Sequence, residues 1–418
     1  MSRFRLAPTA AQEAAMLDHC AHSRFVWNLG LEQRLMWRPG RPNTPSYVDQ
    51  AAQLTEARQS EPWLSAGSQT VQQQALRDLD QAWRNFFAGT HGRPSWRKAG
   101  IDEGFRIVGR QARRVERVSR KWGRVWVPKV GWIRFRLTRA LPAAASYRVN
   151  RDRAGRWHIA FAAIPPAIPA PGNGEVVGID RGVVVSAALS TGALLRSPGL
   201  RPKEAERLRR LERRLAGSQR GSKRRQKVKV AIARLKAREV DRRKDWVEKT
   251  STDLARNFDL IRVEHLDIRG MTRSAKGTID RPGKNVAAKA GVNRGILANG
   301  WGQLTSRLED KAPGRVEKIP AAYTSQTCSV CGIVDARARE SQAAFRCRSC
   351  GYTEHADINA ARNIAAGRAV PARGESGLPD SVKREPQLDS PPLGVDGLES
   401  QEPKSWEDVN SRCLLLHG

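Results

Sequence analysis

Four cysteines in two matched pairs are the sharpest chemical signal in the chain: Cys328-x-x-Cys331 and, fifteen residues later, Cys347-x-x-Cys350. Gly332 and Gly351 directly follow the second cysteine of each pair, which suits tight turns that aim two thiolates at one point. Two such knuckles make a closed tetrahedral zinc site, and the spacing is that of a zinc ribbon. With all four positions filled by protein, the ion is structural and performs no chemistry. A redox role would need one pair beside a βαβ unit. Cys20 and Cys413 stand alone, so the pattern points to metal in a reducing compartment rather than a disulfide framework.

A second constellation is dispersed. Asp180 ends the apolar run VVGID, Glu264 lies near the end of DLIRVEHL, and Asp357 opens HADINAARNI. Each has an ordinary structural use: a turn former, a solvated strand end, a helix cap. Together they form a set of carboxylates arriving from separate elements, as metal-assisted phosphodiester hydrolysis requires to hold two hard cations. A carboxylate at a strand end points from a rigid sheet into a cleft. His355 reads as a helix-start residue and is left out of the ligand set.

The charge balance says what such a site would act on. Lys and Arg number 74 against 42 Asp and Glu, a formal net charge of +32 over 418 residues. So large an excess repels itself and is matched most readily by a polyphosphate. Arg207, Arg209, Arg210, Arg213 and Arg214, then Lys223, Arg224 and Arg225, outnumber the acids among them; Arg210, Arg214, Arg224 and Arg225 are the candidate backbone contacts. Gln73, Gln74 and Arg77 carry long polar side chains able to reach base edges in a groove. Trp83, Trp126 and Trp157 read as core residues. No run approaches the roughly 20 apolar residues of a membrane span, and the N-terminus lacks a secretory pattern. A cytoplasmic, nucleoid-associated monomer without a membrane partner is expected.

These residues need elements to position them. The fold class expected is α/β plus all-β and helical parts. Phe4 and Leu6 read as a short strand, and Thr9 with Gln12 as a capping box opening a helix whose apolar face carries Leu17, Ala21, Phe25 and Leu29. Pro39, Pro42 and Pro45 break that pattern, and a second helix runs from about Ser68 to Phe87. From Phe105 to Ile164 the apolar period becomes two, with Val125 and Val127, Ile133, Phe135 and Leu137, then Trp157, Ile159 and Phe161. This predicts a small β-barrel joined by the first strand. Pro165 to Pro171 is a linker. Beyond it come a strand–turn–strand around Asp180 and a basic helical pair from Pro202 to Asn257, broken at Gly217–Gly221. Its inner faces are Leu208, Leu211 and Leu215, and Val228, Ile232 and Leu235. A buried strand from Phe258 to Val263 follows, then a loop from Thr272 to Lys289, whose stretch from Lys276 to Lys289 reads as a lid, and a helix with Trp301, Leu304 and Leu308. Residues after about Gly367 read as a disordered tail.

GIDRG, VEHLDIRGM, YTSQTCSVCG, CRSCG and HADINAARNI, in this order, resemble the nuclease motifs and zinc ribbon of the TnpB family, often described as OrfB-type transposases. FRLAPTAAQE, FVWNLGLEQ and SQTVQQQALRDLDQAWRNFF resemble its N-terminal half, so the likeness spans residues 1 to 366. It implies a RuvC-like, RNase H-like nuclease that carries a guide RNA and cuts both strands of target DNA beside a short flanking motif, with double-stranded and single-stranded DNA as partners. It further implies Asp180, Glu264 and Asp357 as ligands of catalytic magnesium, with two ions, beside the structural zinc. The Tyr47 segment joins Gln73, Gln74 and Arg77 as a flanking-motif reader. The expected domains are a wedge barrel at 1–10 and 96–170, a helical recognition domain at 11–95, the nuclease at 171–320 and 353–366, the ribbon at 321–352 and the tail at 367–418. A compact type V CRISPR effector and an RNA-guided repressor without cleavage are the alternatives; the retained acids oppose the latter. A strand-joining transposase lacks its Tyr nucleophile with paired His.

Overall fold

The computed structural model describes residues 2–36, 44–143, 145–163 and 165–367. The expected disordered tail beyond Gly367, the breaks at Pro39 and Pro42, and Cys413 lie outside them. The chain divides into two compact units at Pro165–Pro166.

The first unit runs β1 (Ser2–Ala7), α1 (Ala10–Leu35), α2 (Tyr47–Ser60), α3 (Pro62–Ala66), α4 (Gln69–Phe87), β2 (Gly104–Val108), β3 (Val115–Arg117), β4 (Trp122–Val127), β5 (Gly131–Arg136), β6 (Ser146–Arg151) and β7 (Trp157–Phe161). Its seven-stranded sheet has the order β2-β6-β7-β1-β5-β4-β3, antiparallel throughout. The opening strand sits in the middle: Phe4 pairs with Ile159 and Leu6 with Phe135. Side chains alternate across a strand, so Phe4, Leu6, Val125, Ile133, Phe135, Ile159 and Phe161 meet in one core.

Thr9 and Gln12 do form a capping box at the start of α1. The apolar stripe read for that helix is wrong, however. Met16, Cys20, Val26, Trp27 and Leu31 are buried, whereas Phe25 and Leu29 are exposed. A strict four-residue row drifts about 40° per step around a 3.6-residue helix, so its later members rotate off the core. The helix α2 is also an element that the periodicity did not single out. Leu54 from it packs with Leu76, Leu79 and Trp83 of α4.

The second unit runs β8 (Val176–Asp180), β9 (Ala187–Leu189), β10 (Leu194–Leu195), α5 (Pro202–Ala216), α6 (Lys223–Asn257), β11 (Leu260–His265), α7 (Ile268–Met271), α8 (Val286–Asn299), α9 (Trp301–Lys311), β12 (Val316–Pro320), β13 (Ala344–Arg346), β14 (Thr353–His355) and α10 (Ala356–Ala365). Five strands form a sheet in the order β10-β9-β8-β11-β12. β11 lies parallel to both β8 and β12, and β9 returns antiparallel to β8. On one face Val177, Ile179, Ile261 and Val263 pack against Leu254 of α6 and Leu304 and Leu308 of α9. On the other face lies α10. Leu208, Leu211, Val228 and Leu235 zip α5 to α6, as their spacing predicts. The loop expected from Thr272 to Lys289 ends earlier, because α8 has already begun at Val286.

Candidate active site and metal centre

Ile179 of β8 pairs with Val263 of the parallel β11, so the next residues, Asp180 and Glu264, stand side by side at the strand ends. The residues beneath them, Gly178 and Arg262, share their face of the sheet. That face is covered by α10, whose close approach depends on glycine. A Cβ on Gly178 would lie 2.0 Å from the Ala361 carbonyl oxygen and 2.3 Å from the Ala365 nitrogen. Arg262 donates to the Ala365 carbonyl at 2.6 Å and pins the far end of the helix. Asp357, one turn before Ala361, is thereby brought over Asp180 and Glu264. His355 caps α10, its Nδ1 accepting from the Asp357 amide at 3.2 Å.

The three carboxyls feel one another. Burial, then Glu264, then Asp357 push the Asp180 carboxyl well above the usual carboxylate range, with Arg339 opposing them. Glu264 and Asp357 are each 8% exposed. Two arginines that the sequence reading passed over brace the cluster. Arg181, buried beside Asp180, donates its amide to a Glu264 carboxylate oxygen at 3.4 Å and its guanidinium to the Glu264 carbonyl and to Thr305 Oγ1. Arg339 reaches Asp357 Oδ1 at 3.1 Å. Arg181 lies inside the GIDRG motif and was visible; nothing local in the loop IVDARARESQAAFR marks Arg339. Three oxygen donors, mutually repelling and partly desolvated, form the donor set that a hard divalent cation suits. Among the described residues, only the four thiols bring three or more potential ligand atoms all within 4.8 Å of one another. The carboxylates share a neighbourhood and a field, not a closed shell.

The thiols do close one. Cys328 and Cys350 sulfurs lie 3.7 Å apart, and Cys331 and Cys347 sulfurs 3.6 Å apart. Four sulfurs at the Zn–S bond length define a tetrahedron with edges of roughly 3.8 Å, whereas a disulfide would need about 2.05 Å. The set fits a zinc ion. Gly332 and Gly351 adopt positive φ of 76° and 74°, the conformation the knuckles require of glycine. Their amides return to the Cys328 and Cys347 carbonyls. The Cys350 and Ser349 amides draw the Cys347 thiol down to about 7. At Cys331 the Ile333 backbone favours the thiolate, but desolvation and neighbouring thiols push it up to about 12.

Two further residues bind this centre to the acidic one. Asn359, fully buried on α10, accepts from the Ser329 amide at 2.9 Å and donates to the Thr327 carbonyl at 2.8 Å. Asn363, one turn on, donates to the Thr324 and Thr327 carbonyls at 2.9 and 2.7 Å. The helix that carries Asp357 is thus bonded to the backbone entering the first knuckle. Both asparagines stand in DINAARNI, where their i, i+4 spacing was the available signal.

The candidate nucleic-acid contacts divide. Arg210, Arg214 and Arg224 are exposed, but Arg225 donates to the Leu215 and Ser218 carbonyls and closes the end of α5 instead. Arg77 is exposed and donates to Tyr47 Oη at 2.8 Å, its guanidinium over the ring; Gln73 is half-buried. Gln74 is 6% exposed and packs inward, so it is withdrawn as a base reader. Trp83 and Trp157 are core residues as expected, whereas Trp126 faces outward on β4.

Family profiles described as "Probable transposase", "Cas12f1-like, TNB domain" and "Helix-turn-helix domain" match residues 147–275, 301–364 and 2–38. The last of these spans folds here as a strand followed by a helix. InsQ of Escherichia coli (strain K12) is 35% identical over 395 residues, covering 92% of this chain and 96% of its own. A protein of Streptomyces pristinaespiralis is 32% identical over 407 residues, with the same shares. Both are named as RNA-guided DNA endonucleases. Cas12f1 of Sulfoacidibacillus thermotolerans is 55% identical over 56 residues, 13% of each chain. A solved Cas12f1–sgRNA–target DNA complex matches at 14% identity and TM-score 0.47, over 85% of this chain and 82% of that one. By its length-wide identity to InsQ and the Streptomyces protein, the chain belongs to the TnpB family of RNA-guided DNA endonucleases.

Proposed function

We propose that this protein cuts DNA at sites chosen by a bound guide RNA, using Asp180, Glu264 and Asp357 as ligands of two magnesium ions. The observation that carries the reading is the meeting of three carboxyls from β8, β11 and α10 on one side of a sheet, where two of them oppose ionisation of the third. Hard cations bound there would neutralise the acids, activate water and stabilise the leaving oxygen. The protein's own groups do the positioning. Arg181 fixes the end of β11 through Glu264, Gly178 admits α10, and the two asparagines hold that helix against the ribbon. The four cysteines would hold zinc, whose closed shell leaves it no part in hydrolysis.

The five-stranded sheet with its parallel β8, β11 and β12 supports an RNase H-like, RuvC-type core at 171–320 and 353–366, interrupted by the ribbon at 321–352. The seven-stranded sheet supports a wedge barrel at 1–10 and 96–170, and helices α1 to α4 a recognition domain at 11–95. Guide RNA and target DNA are the partners, met in the cytoplasm at the nucleoid.

The test is reconstitution. Protein purified with its own RNA should cut a matched plasmid in magnesium, and Asp180→Ala should abolish cutting while RNA stays bound. Intact plasmid under the wild-type complex, tightly bound, would overturn the endonuclease reading in favour of a repressor. Sequencing the co-purified RNA identifies the guide.

A further inference from the structure

The acids face α10, but the chain between Asp180 and β9 is held from the opposite side of the sheet. Arg181 turns toward α9, where its guanidinium donates to Thr305 Oγ1 at 2.8 Å and to the Glu264 carbonyl. Residues 181–186 then form a turn, closed by the Gly182 amide on the Val185 carbonyl at 3.0 Å. Val183 and Val184 in this turn are 43% and 58% exposed, and Val185 alone of the three packs inward. Burial of its own side chains is therefore weak support for the turn. Its carbonyls supply the rest. Trp301 Nε1 donates to the Gly182 carbonyl at 3.2 Å, and Asn299 Nδ2 to the Val183 carbonyl at 2.9 Å. Asn299 Oδ1 in turn accepts from Ser186 Oγ at the far end of the turn.

Both donors come from one corner. Asn299 ends α8, Trp301 begins α9, and Gly300 joins them with a φ of 70°, a left-handed conformation that suits glycine. The approach of α8 is close: a Cβ on Gly295 would lie 2.8 Å from Val183 Cγ1. One turn along α9, Thr305 donates to the Trp301 carbonyl at 3.2 Å. The corner thus grips the chain after Asp180 directly and, through Thr305 and Arg181, the backbone of Glu264. Asp180 and Glu264 repel each other when both are charged, which would spread the two strand ends. Backbone held on both sides resists that, so the donors stand ready before a cation arrives.

We infer that Asn299 and Trp301 are positioning residues, which hold the turn after Asp180 from the α8–α9 corner and thereby set the affinity of the acidic site for a divalent cation. The inference rests on Asp180 and Glu264 holding metal, and so deepens the functional reading above.

Ferrous iron is a probe that needs no DNA. With ascorbate and peroxide, iron bound at the acids generates radicals that break the polypeptide beside it. In the complex purified with its RNA, scission is expected near Asp180 and Glu264, suppressed by magnesium and absent from Asp180→Ala. Trp301→Phe keeps a ring and loses the N–H; Asn299→Asp keeps Oδ1 and loses the Nδ2 donor. Each should require about tenfold more iron for half-maximal scission, the lower end of what losing a ligand's outer partner costs. The magnesium needed for half-maximal plasmid cutting should rise in parallel, with the rate largely restored at saturation. Arg307→Met, which breaks the pairing of α9 with Glu248, is the stability control and should melt lower with both midpoints unchanged. Trp301→Phe decides the matter alone where Asn299→Asp does not fold. Midpoints equal to those of the wild type, or shifted no further than in Arg307→Met, overturn the inference and leave the nuclease reading intact. A wild-type complex that shows no scission near the acids overturns the metal site as well.

Discussion

Replacing Gly178 by alanine isolates the geometry on which the acidic site depends. The glycine sits in an ordinary strand conformation, so its value here is the missing Cβ rather than backbone freedom. The added methyl would lie 2.0 Å from one backbone atom of α10 and 2.3 Å from another. Neither belongs to a flexible side chain that can swing away. Restoring an ordinary contact of roughly 3.4 Å requires α10 to lift by about 1.4 Å. Asp357 rides on that helix and lifts with it. A misplacement of about 1 Å in a reacting constellation costs on the order of 10²-fold in rate. Overpacking should also cost roughly 1–3 kcal/mol of stability. Single-turnover cleavage of a matched plasmid by Gly178→Ala, under excess complex, should therefore run about a hundredfold slower, with RNA binding and zinc content unchanged. Gly199→Ala is the control, since no atom lies within 4 Å of a Cβ there. If Gly178→Ala melts with the wild type and cuts within threefold of its rate, about 0.7 kcal/mol, the account of how α10 places Asp357 is wrong.

Three other outcomes follow from the same contacts. Cys347→Ser should bind less zinc by elemental analysis and fold in lower yield, and full occupancy would refute the four-thiolate site. Asn359→Leu removes two hydrogen bonds between α10 and the ribbon, each contributing about 0.5–1.5 kcal/mol; cleavage should fall more than tenfold while zinc stoichiometry holds, and an unchanged rate would deny it a positioning role. His158 is 7% exposed, and burial, then Arg3, hold its imidazole down to about 4 despite Asp152 at 3.1 Å. Its folded value lies below its unfolded one, so the stabilisation is complete above about pH 6.5 and is lost as pH falls toward 4. The loss should be of order 1–3 kcal/mol and smaller in His158→Gln, and urea titrations at intervals of pH would expose a flat profile if the reasoning fails.

What the sequence revealed follows from the range of the forces involved. The cysteine knuckles were legible because each is a local turn whose glycines and thiols sit within a few residues. Strand and helix pairs were legible where one period ran cleanly, as in Leu208–Leu211 against Val228–Leu235. The acids were legible as a set, since strand ends and a helix start are local features, but their meeting depends on β8 and β11 being parallel neighbours. Arg339 was hidden because its partner is Asp357, brought near only by the ribbon's folding. Gly178 could have been suspected: a glycine inside an apolar strand signals close backbone approach. Trp126 was misplaced because its bulk was read as burial, although it falls between Val125 and Val127, whose alternation already turned it outward. Gln74 and Arg225 failed for a shared reason. Polar side chains were taken as pointing to solvent, whereas one packs inward and the other bonds to loop carbonyls.

The joining of ribbon to nuclease helix has an energetic rationale. Asp357 belongs to a helix of ten residues, too short to be stable alone in water, and it stands among like charges that oppose its position. The apolar cluster behind it is small: Cys328, Ala338, Phe345, Cys347 and Ala356, with Tyr352 beside them. Such a core is weak support for a carboxylate that must not drift. Structural zinc contributes an apparent binding free energy of about 10–16 kcal/mol at neutral pH in small fingers, far more than this cluster could. On the proposed zinc occupancy, the ion stiffens the Thr327–Ser329 backbone, the asparagines carry that rigidity to α10, and Asp357 is held one turn from Ala361 against the sheet. Zinc would then govern cleavage without touching DNA, through the place at which one carboxylate stands.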